Sequence, residues 1–309
     1  MISENDLKDL IGKVLKEIDL SDAGKAEQVA QAVAGKVESA AANSAAANNS
    51  AAQVDDSELY DITAIEMSDF FAIENAENKA EYMKLKAKTP ARLGIGRAGP
   101  RYKTETMLRF RADHAVAIDS VFNEVDEALV AEAGLIAVSS KCEDKDMYVT
   151  RPDLGRTINE EGAAKIQSEC RKGADVQIVI ADGLSSSAIT ANLKNILPAL
   201  KQGLEGYGLS VGDTVFIKFG RVGAMDHLTE LTSGKVTVML VGERPGLATG
   251  ESMGAYITYE GKVGMPEAGR TVVSNIHRRG TPAAEAGAHI SNIVKKMFEQ
   301  KCSGVGFRF

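Results

Sequence analysis

Two short apolar runs, Val215–Phe219 and Val236–Val241, are each cut off by a glycine-led loop, and this pairing leaves few architectures open. The first run gives way to Gly220-Arg221-Val222 and the second to Gly242-Glu243-Arg244-Pro245-Gly246-Leu247. Each has the length and β-branched content of a strand buried on both faces. Between them Met225–Leu231 carries a helix-like mix. A third run, Val176–Ala181, ends in Asp182-Gly183-Leu184-Ser185-Ser186-Ser187, and a long helical pattern, Ala188–Tyr207, follows and closes at Gly208. Strand, loop, helix, strand, loop is half of a doubly wound sheet. Ligands of such sheets bind beyond the carboxyl ends of the strands. The loops holding Val222 and Glu243 are therefore the expected ligand edge, with the Asp182–Ser187 loop as a neighbouring wall.

The rest of the chain is read outward from that core. Asn159–Lys172 reads as a helix stopped by Gly173, Ala255–Tyr259 as a further strand, and 282–301 as a closing helix with Thr281 as cap. Leu135–Ser139 and Met147–Thr150 read as strands joined by a polar, exposed turn. Upstream, Thr104–Glu124 is a strong helix, with Met107, Leu108, Phe110, His114, Ala115, Ile118, Val121 and Phe122 forming most of its expected inner face. His114 on that face is expected to be a satisfied core histidine. Residues 7–18 carry an apolar stripe at three- and four-residue steps, and 21–55 are rich in Ala, Asn, Ser and Gln. The latter stretch buries too little to offset its ordering entropy and reads as linker. The expected organisation is an amphipathic helix (1–20), a linker (21–57), a helical domain (58–133) and an α/β domain (134–309). The fold class is α/β: a Rossmann-like, doubly wound, mostly parallel sheet behind a small helical domain and a flexible tail.

Charge and cysteine usage narrow the chemistry. The net charge of −7 and pI near 5.3 supply no basic field for nucleic acid. Three widely spaced cysteines, Cys142, Cys170 and Cys302, suit a reducing compartment. No CxxC or HxxxH spacing points to zinc, so no metal ligand is assigned. No run of 18 apolar residues suggests a membrane span, and the N-terminus lacks the pattern of a signal peptide. GxGxxG occurs literally at Gly94, Gly96 and Gly99, but Pro100 follows and no strand precedes it, so a dinucleotide site is discounted. Arg92, Arg97, Arg101 and Lys103 make a basic loop suited to a solvated surface or an anion. His277 and the Arg278-Arg279 pair stand before the last helix, where phosphate is also favoured. No Ser-His-Asp or paired-acid constellation has convincing spacing, and no catalytic residue is assigned.

Seven runs, in order, carry a resemblance: RLGIGRAGPR (92–101), TETMLRFRADHAVA (104–117), YVTRPDLGR (148–156), VIADGLSSSAI (179–189), GRV (220–222), LVGERPGL (240–247) and SNIHRRGTP (274–282). Over roughly residues 90–309 the chain resembles the small subunit of ethanolamine ammonia-lyase. The resemblance implies a lyase complex that splits ethanolamine into acetaldehyde and ammonia by a radical route. The cofactor it implies is adenosylcobalamin, whose cobalt–carbon bond breaks homolytically. It implies a TIM-barrel large subunit that carries the substrate site, with this chain covering the cobalamin from the other side. Carried onto this sequence, the cobalamin contacts are Val222 in GRV, Glu243 in GERPGL, and Val272, two residues after Arg270. Some relatives have cysteine at the last position, so Val272 makes a backbone or van der Waals contact. The resemblance also gives residues 1–20 a meaning. They look like an encapsulation peptide, which would place the enzyme in the cytoplasm within a bacterial microcompartment and make its shell a partner. Two other readings stay open at this point: a standalone nucleotide-binding Rossmann-like enzyme, and a scaffold subunit that binds no ligand.

Overall fold

The run Val176–Ala181 becomes an inner strand of a six-stranded sheet, every residue of it buried. The computed structural model describes residues 61–309, so the readings of 1–20 and 21–57 lie outside the described residues. In chain order the elements are α1 (Lys79–Lys86), β1 (Arg97–Ala98), β2 (Arg101–Tyr102), α2 (Thr104–Phe122), α3 (Glu127–Glu132), β3 (Ile136–Ser139), α4 (Lys145–Thr150) and α5 (Glu160–Glu169). They continue with β4 (Val176–Ala181), α6 (Ser186–Gly206), β5 (Val215–Lys218), α7 (Ala224–Thr232), β6 (Val236–Gly242), β7 (Met253–Tyr259), β8 (Thr271–Ile276) and α8 (Ala283–Gln300). Strands β1 and β2 form a small ribbon, and the main sheet runs β3-β5-β4-β6-β7-β8.

The first four strands of that order are parallel, and both faces are covered, which is why their sequences are nearly unbroken apolar runs. On one face Ile178, Ile180, Val238 and Leu240 meet Leu193, Ile196 and Leu200 of α6 and Ile290, Val294 and Met297 of α8. On the other, Val179, Ile217, Met239 and Val241 meet Ile166 of α5 and Met225 and Leu228 of α7. Each such aliphatic side chain, fully buried, contributes roughly 1.5–3 kcal/mol. Helices α6 and α8 approach unusually closely. A Cβ on Gly287 would stand 2.8 Å from the Ile196 carbonyl oxygen, so only glycine fits there. Alternating connections on opposite faces make this a doubly wound, Rossmann-like α/β fold.

Beyond β6 the pattern changes. β7 pairs antiparallel with β6, and β8 antiparallel with β7. Helix α8 backs these two strands on its own face. On the α7 face they extend outward, leaving Val272 47% exposed and Ser274 exposed as well. This open ledge is the part of the fold that positions the site.

Four expectations are corrected. Met147–Thr150 is helical, not a strand: the Asp144 carboxylate accepts from the Met147 N–H at 2.7 Å and caps α4, and this local bond overrides the β-preference of Tyr-Val-Thr. Nor is the whole preceding turn exposed, since Cys142 and Lys145 are buried. Most of the apolar stripe of α2 faces outward, not inward: Met107, Leu108, His114, Ala115, Ile118 and Phe122 are exposed, Phe110 and Val121 are half-buried, and the polar residues facing the protein are Thr106, Arg109, Asp113 and Ser120. Finally, Pro282, not Thr281, occupies the N-cap of α8.

Candidate functional site

The crevice that the topology provides, between the ends of β4 and β5, is filled by the protein's own side chains. Asp182 is buried there. Its Oδ1 accepts from the N–H groups of Gly183 (3.0 Å) and Gly220 (3.2 Å), and its Oδ2 pairs with Lys145 Nζ at 3.3 Å. Lys145 lies over the rings of Tyr148 and Phe219, and Cys142, Leu154 and Leu184 complete the plug. Burial pushes the Asp182 carboxyl above its ordinary pKa while Lys145 opposes the shift. The serines of the Asp182–Ser187 loop are engaged too. Ser185 caps α6 by accepting from Ala188 N (3.1 Å) and donates to the Gly250 carbonyl, and Ser186 is buried.

The open face lies one strand further along, on the α7 side. Side chains alternate along β6, so Glu243, like Met239 and Val241, points to that side. Its N–H donates to the Ser252 carbonyl at 3.0 Å, which continues the ladder to β7. Its Oε2 accepts from Ser252 Oγ (2.6 Å) and from the backbone N–H of Asn275 (3.3 Å). Asn275 has φ +59°, and the β7–β8 register slips at this point, with Met253 opposite Ile276 but Ala255 opposite Val273. Asn275 is thus the extra residue of a β-bulge, and the bulge aims its N–H at Glu243. Across β7 sits Gly254. A Cβ there would stand 2.9 Å from Glu243 Oε1, so the glycine opens the space in which the carboxylate lies over the strand.

Val222 and Val272 share this side of the sheet. Val222 precedes α7 and packs, half-buried, on the same cluster as Tyr256. Its carbonyl accepts from Met225 N at 3.1 Å. Val272 pairs with Tyr256, which pairs with Met239. Val272 therefore lies about 13 Å along the sheet from Glu243 and about 10 Å across it. The three residues border one extended surface and do not converge on one atom. Tyr256 lies between them; burial raises its phenol pKa, the charges of Glu243 and Glu267 add to the rise, and Arg270 opposes it.

Other candidates fall away. Most of the basic loop is engaged internally: Arg92 bonds Asp113 (2.5 Å) and the Leu247 carbonyl (2.6 Å), Lys103 pairs with Glu74, and Arg97 stacks on Tyr102, while Arg101 is exposed. Gly94, Gly96 and Gly99 all have positive φ; the first two lead into the β1–β2 ribbon and Gly99 lies in its turn, not at the start of a helix, so they form no phosphate-binding turn. His277 accepts from Arg279 N at 3.3 Å within its own turn, and Arg278 and Arg279 both meet Glu66. Among the described residues no cluster of three or more His, Cys, Asp or Glu is arranged to hold a metal ion. No described helix is long and apolar enough to cross a membrane. Sequence reasoning misses Gly254, Asn275 and the Lys145–Asp182 pair. An isolated glycine within an apolar strand pattern is the one available signal, and it points to Gly254.

The fold and this ledge define an open α/β domain that presents one fixed carboxylate on a broad, half-apolar face. Residues 79–308 match the family model described as Ethanolamine ammonia-lyase light chain (EutC). Curated relatives named ethanolamine ammonia-lyase small subunit are similar over nearly the whole length. The protein of Fusobacterium nucleatum is 52% identical over 98% of both chains, and that of Clostridium tetani 51% over 100% of both. The protein of Listeria monocytogenes is 48% identical over 99% of this chain and 100% of its own. The chain belongs to the ethanolamine ammonia-lyase light-chain family.

Proposed function

We propose that this chain is the small subunit of an adenosylcobalamin-dependent ethanolamine ammonia-lyase and supplies one wall of the cobalamin site. The observation that carries the reading is the Glu243 carboxylate, fixed through Oε2 by Ser252 and Asn275 while Oε1 lies over Gly254. Cobalamin fits such a face: its rim carries amide N–H donors for a fixed carboxylate, and its flanks suit apolar contacts such as Val222 and Val272. When bound, adenosylcobalamin supplies the radical that starts the conversion of ethanolamine to acetaldehyde and ammonia. The residues of this chain bind and orient. Glu243 accepts from the cofactor's periphery, and Val222 and Val272 exclude water along its edge. The substrate groups belong to the companion large subunit, a TIM barrel that closes the site from the other side. Residues 1–20 would direct the complex to a microcompartment shell in the cytoplasm.

The test is coexpression with the large subunit, followed by adenosylcobalamin binding and acetaldehyde formation. The expected result is cofactor-dependent acetaldehyde from the wild-type complex. In the assembled complex of the double variant Glu243→Ala, Val222→Asp, cobalamin affinity should fall at least about tenfold, as for loss of a charged hydrogen bond. An assembled, active double variant with unchanged cobalamin affinity would leave the chain a scaffold only.

A further inference from the structure

Strand β7 turns Gly254, Tyr256 and Thr258 to the ledge side of the sheet. Thr258 is buried, and Gly254 lies beneath the Glu243 carboxylate. Tyr256 is left as the large polar side chain that this strand offers to the open face. Across the sheet in its register, Met239 of β6 is buried, Tyr256 is half-buried and Val272 of β8 is exposed. Tyr256 thus stands on the line where the cover of α7 ends. Its ring packs on the cluster that also holds Val222. Alternate residues of a strand are about 6.7 Å apart, so Tyr256 lies one such step from Gly254 and the carboxylate above it. Its partner on β8, Val272, is about 5 Å away. The phenol occupies the middle ground between Val222, Glu243 and Val272.

A tyrosine whose ring is packed ordinarily has a partner for its hydroxyl. The Tyr256 hydroxyl makes no hydrogen bond among the described residues, and it is not sealed from solvent. Its surroundings also fix its form. Burial raises the phenol pKa, Glu243 and Glu267 add to the rise, and Arg270 opposes it, so the group keeps its proton at neutral pH. A phenol in that form donates, whereas the neighbouring Glu243 carboxylate only accepts. A fixed acceptor beside a free donor matches a ligand edge that carries both kinds of group, and a carboxamide is such a group. We infer that Tyr256 is a further cobalamin-binding residue, which donates its phenol O–H to a carboxamide oxygen of the corrin rim while Glu243 accepts a carboxamide N–H. This rests on the cobalamin reading given above and adds a donor to it.

The experiment titrates adenosylcobalamin into the assembled complex of the full chain with the large subunit and reads the dissociation constant. Tyr256→Phe keeps the ring and removes only the O–H. Affinity should fall about three- to tenfold, as for one uncharged hydrogen bond. Tyr256→Leu, which also removes the ring, should bind more weakly still. The melting temperature of the purified Tyr256→Phe chain and its association with the large subunit in the absence of cofactor should match the wild type, because the hydroxyl bonds nothing within the chain. A wild-type complex that binds no adenosylcobalamin would overturn the cobalamin reading itself. Wild-type binding with unchanged affinity in Tyr256→Phe would overturn only the donor; a loss confined to Tyr256→Leu would leave the ring as an apolar wall. The assignment also falls if Tyr256→Phe melts lower, which would give the hydroxyl a partner within the chain, or if it weakens subunit association by the same factor, which would give the bond to the large subunit.

Discussion

The backbone N–H of Asn275 donates to Glu243 Oε2 at 3.3 Å from a residue held at φ +59°. Two features separated by 32 positions in the chain thereby fix one carboxylate: the loop after β6 supplies the acid, and the β8 bulge supplies the donor. The left-handed conformation is open to Asn and Gly and costly for β-branched residues, by about 1–2 kcal/mol. Asn275→Val should therefore destabilise the chain by about that amount and loosen Glu243. Asn275→Gly should keep both the bulge and the bond. Thermal melts and cobalamin binding of the assembled complex check this together. Equal behaviour of the two variants would mean the bulge does not hold the carboxylate.

Gly254 offers a test in which stability and binding move apart. A side chain at this position presses on Glu243, whose Oε1 would lie 2.9 Å from the added Cβ. The obstacle is the far end of a flexible side chain, so the strand itself can accept a Cβ, and β-branched residues favour strands by up to about 1 kcal/mol. Gly254→Val should leave the melting temperature of the chain unchanged or slightly raised. Cobalamin affinity of the complex should drop about tenfold, the equivalent of roughly 1.4 kcal/mol. A fall in stability with unchanged affinity would assign Gly254 to packing alone.

How far the sequence reaches is clear from particular residues. β4 and β6 can be read directly, because strands buried on both faces are apolar at nearly every position. Glu243 can be placed at a ligand edge because it follows such a strand. The plug of the β4–β5 crevice cannot: Lys145 and Asp182 are 37 residues apart, and Lys145 sits in a stretch that reads as a polar turn. Nor can the orientation of α2. Periodicity reveals that a helix has an apolar stripe, but a stripe turned outward has the same spacing as one that serves the core. The open ledge depends on β7 and β8 running antiparallel and outrunning α7, a tertiary outcome that no local pattern encodes.

The Lys145–Asp182 pair should behave as a buried ion pair whose partners cannot be removed singly. Their side chains are 8% and 1% exposed. Asp182→Asn leaves the ammonium uncompensated and should cost about 3–5 kcal/mol in urea unfolding. Lys145→Met combined with Asp182→Asn removes both charges and should recover most of that loss. A double variant no more stable than Asp182→Asn would show that the carboxylate matters for its bonds to Gly183 and Gly220, not for the charge.

A second buried pair makes the stability of the chain depend on pH. Asp226 Oδ2 accepts from Arg270 Nη2 at 2.5 Å, and both side chains are 3% exposed. Asp226 Oδ1 and Arg270 Nε find no further partner among the described residues. Burial pushes the Asp226 carboxyl up to about 6, with Arg270 opposing the rise. The unfolded chain should titrate this group near pH ~4, the usual aspartate range. Between those values the folded state holds a proton that the unfolded state has released, so raising the pH favours unfolding. The contribution is fully present below about pH 4 and is lost as pH rises through about 6. Melting temperatures of the wild type and Asp226→Asn, measured from about pH 4 to about pH 7.5, isolate the group, because other titrations are common to both. The wild type should lose ground to the variant across that window and run parallel to it above. Curves parallel throughout would show that the Arg270 guanidinium outweighs burial and keeps Asp226 ionised.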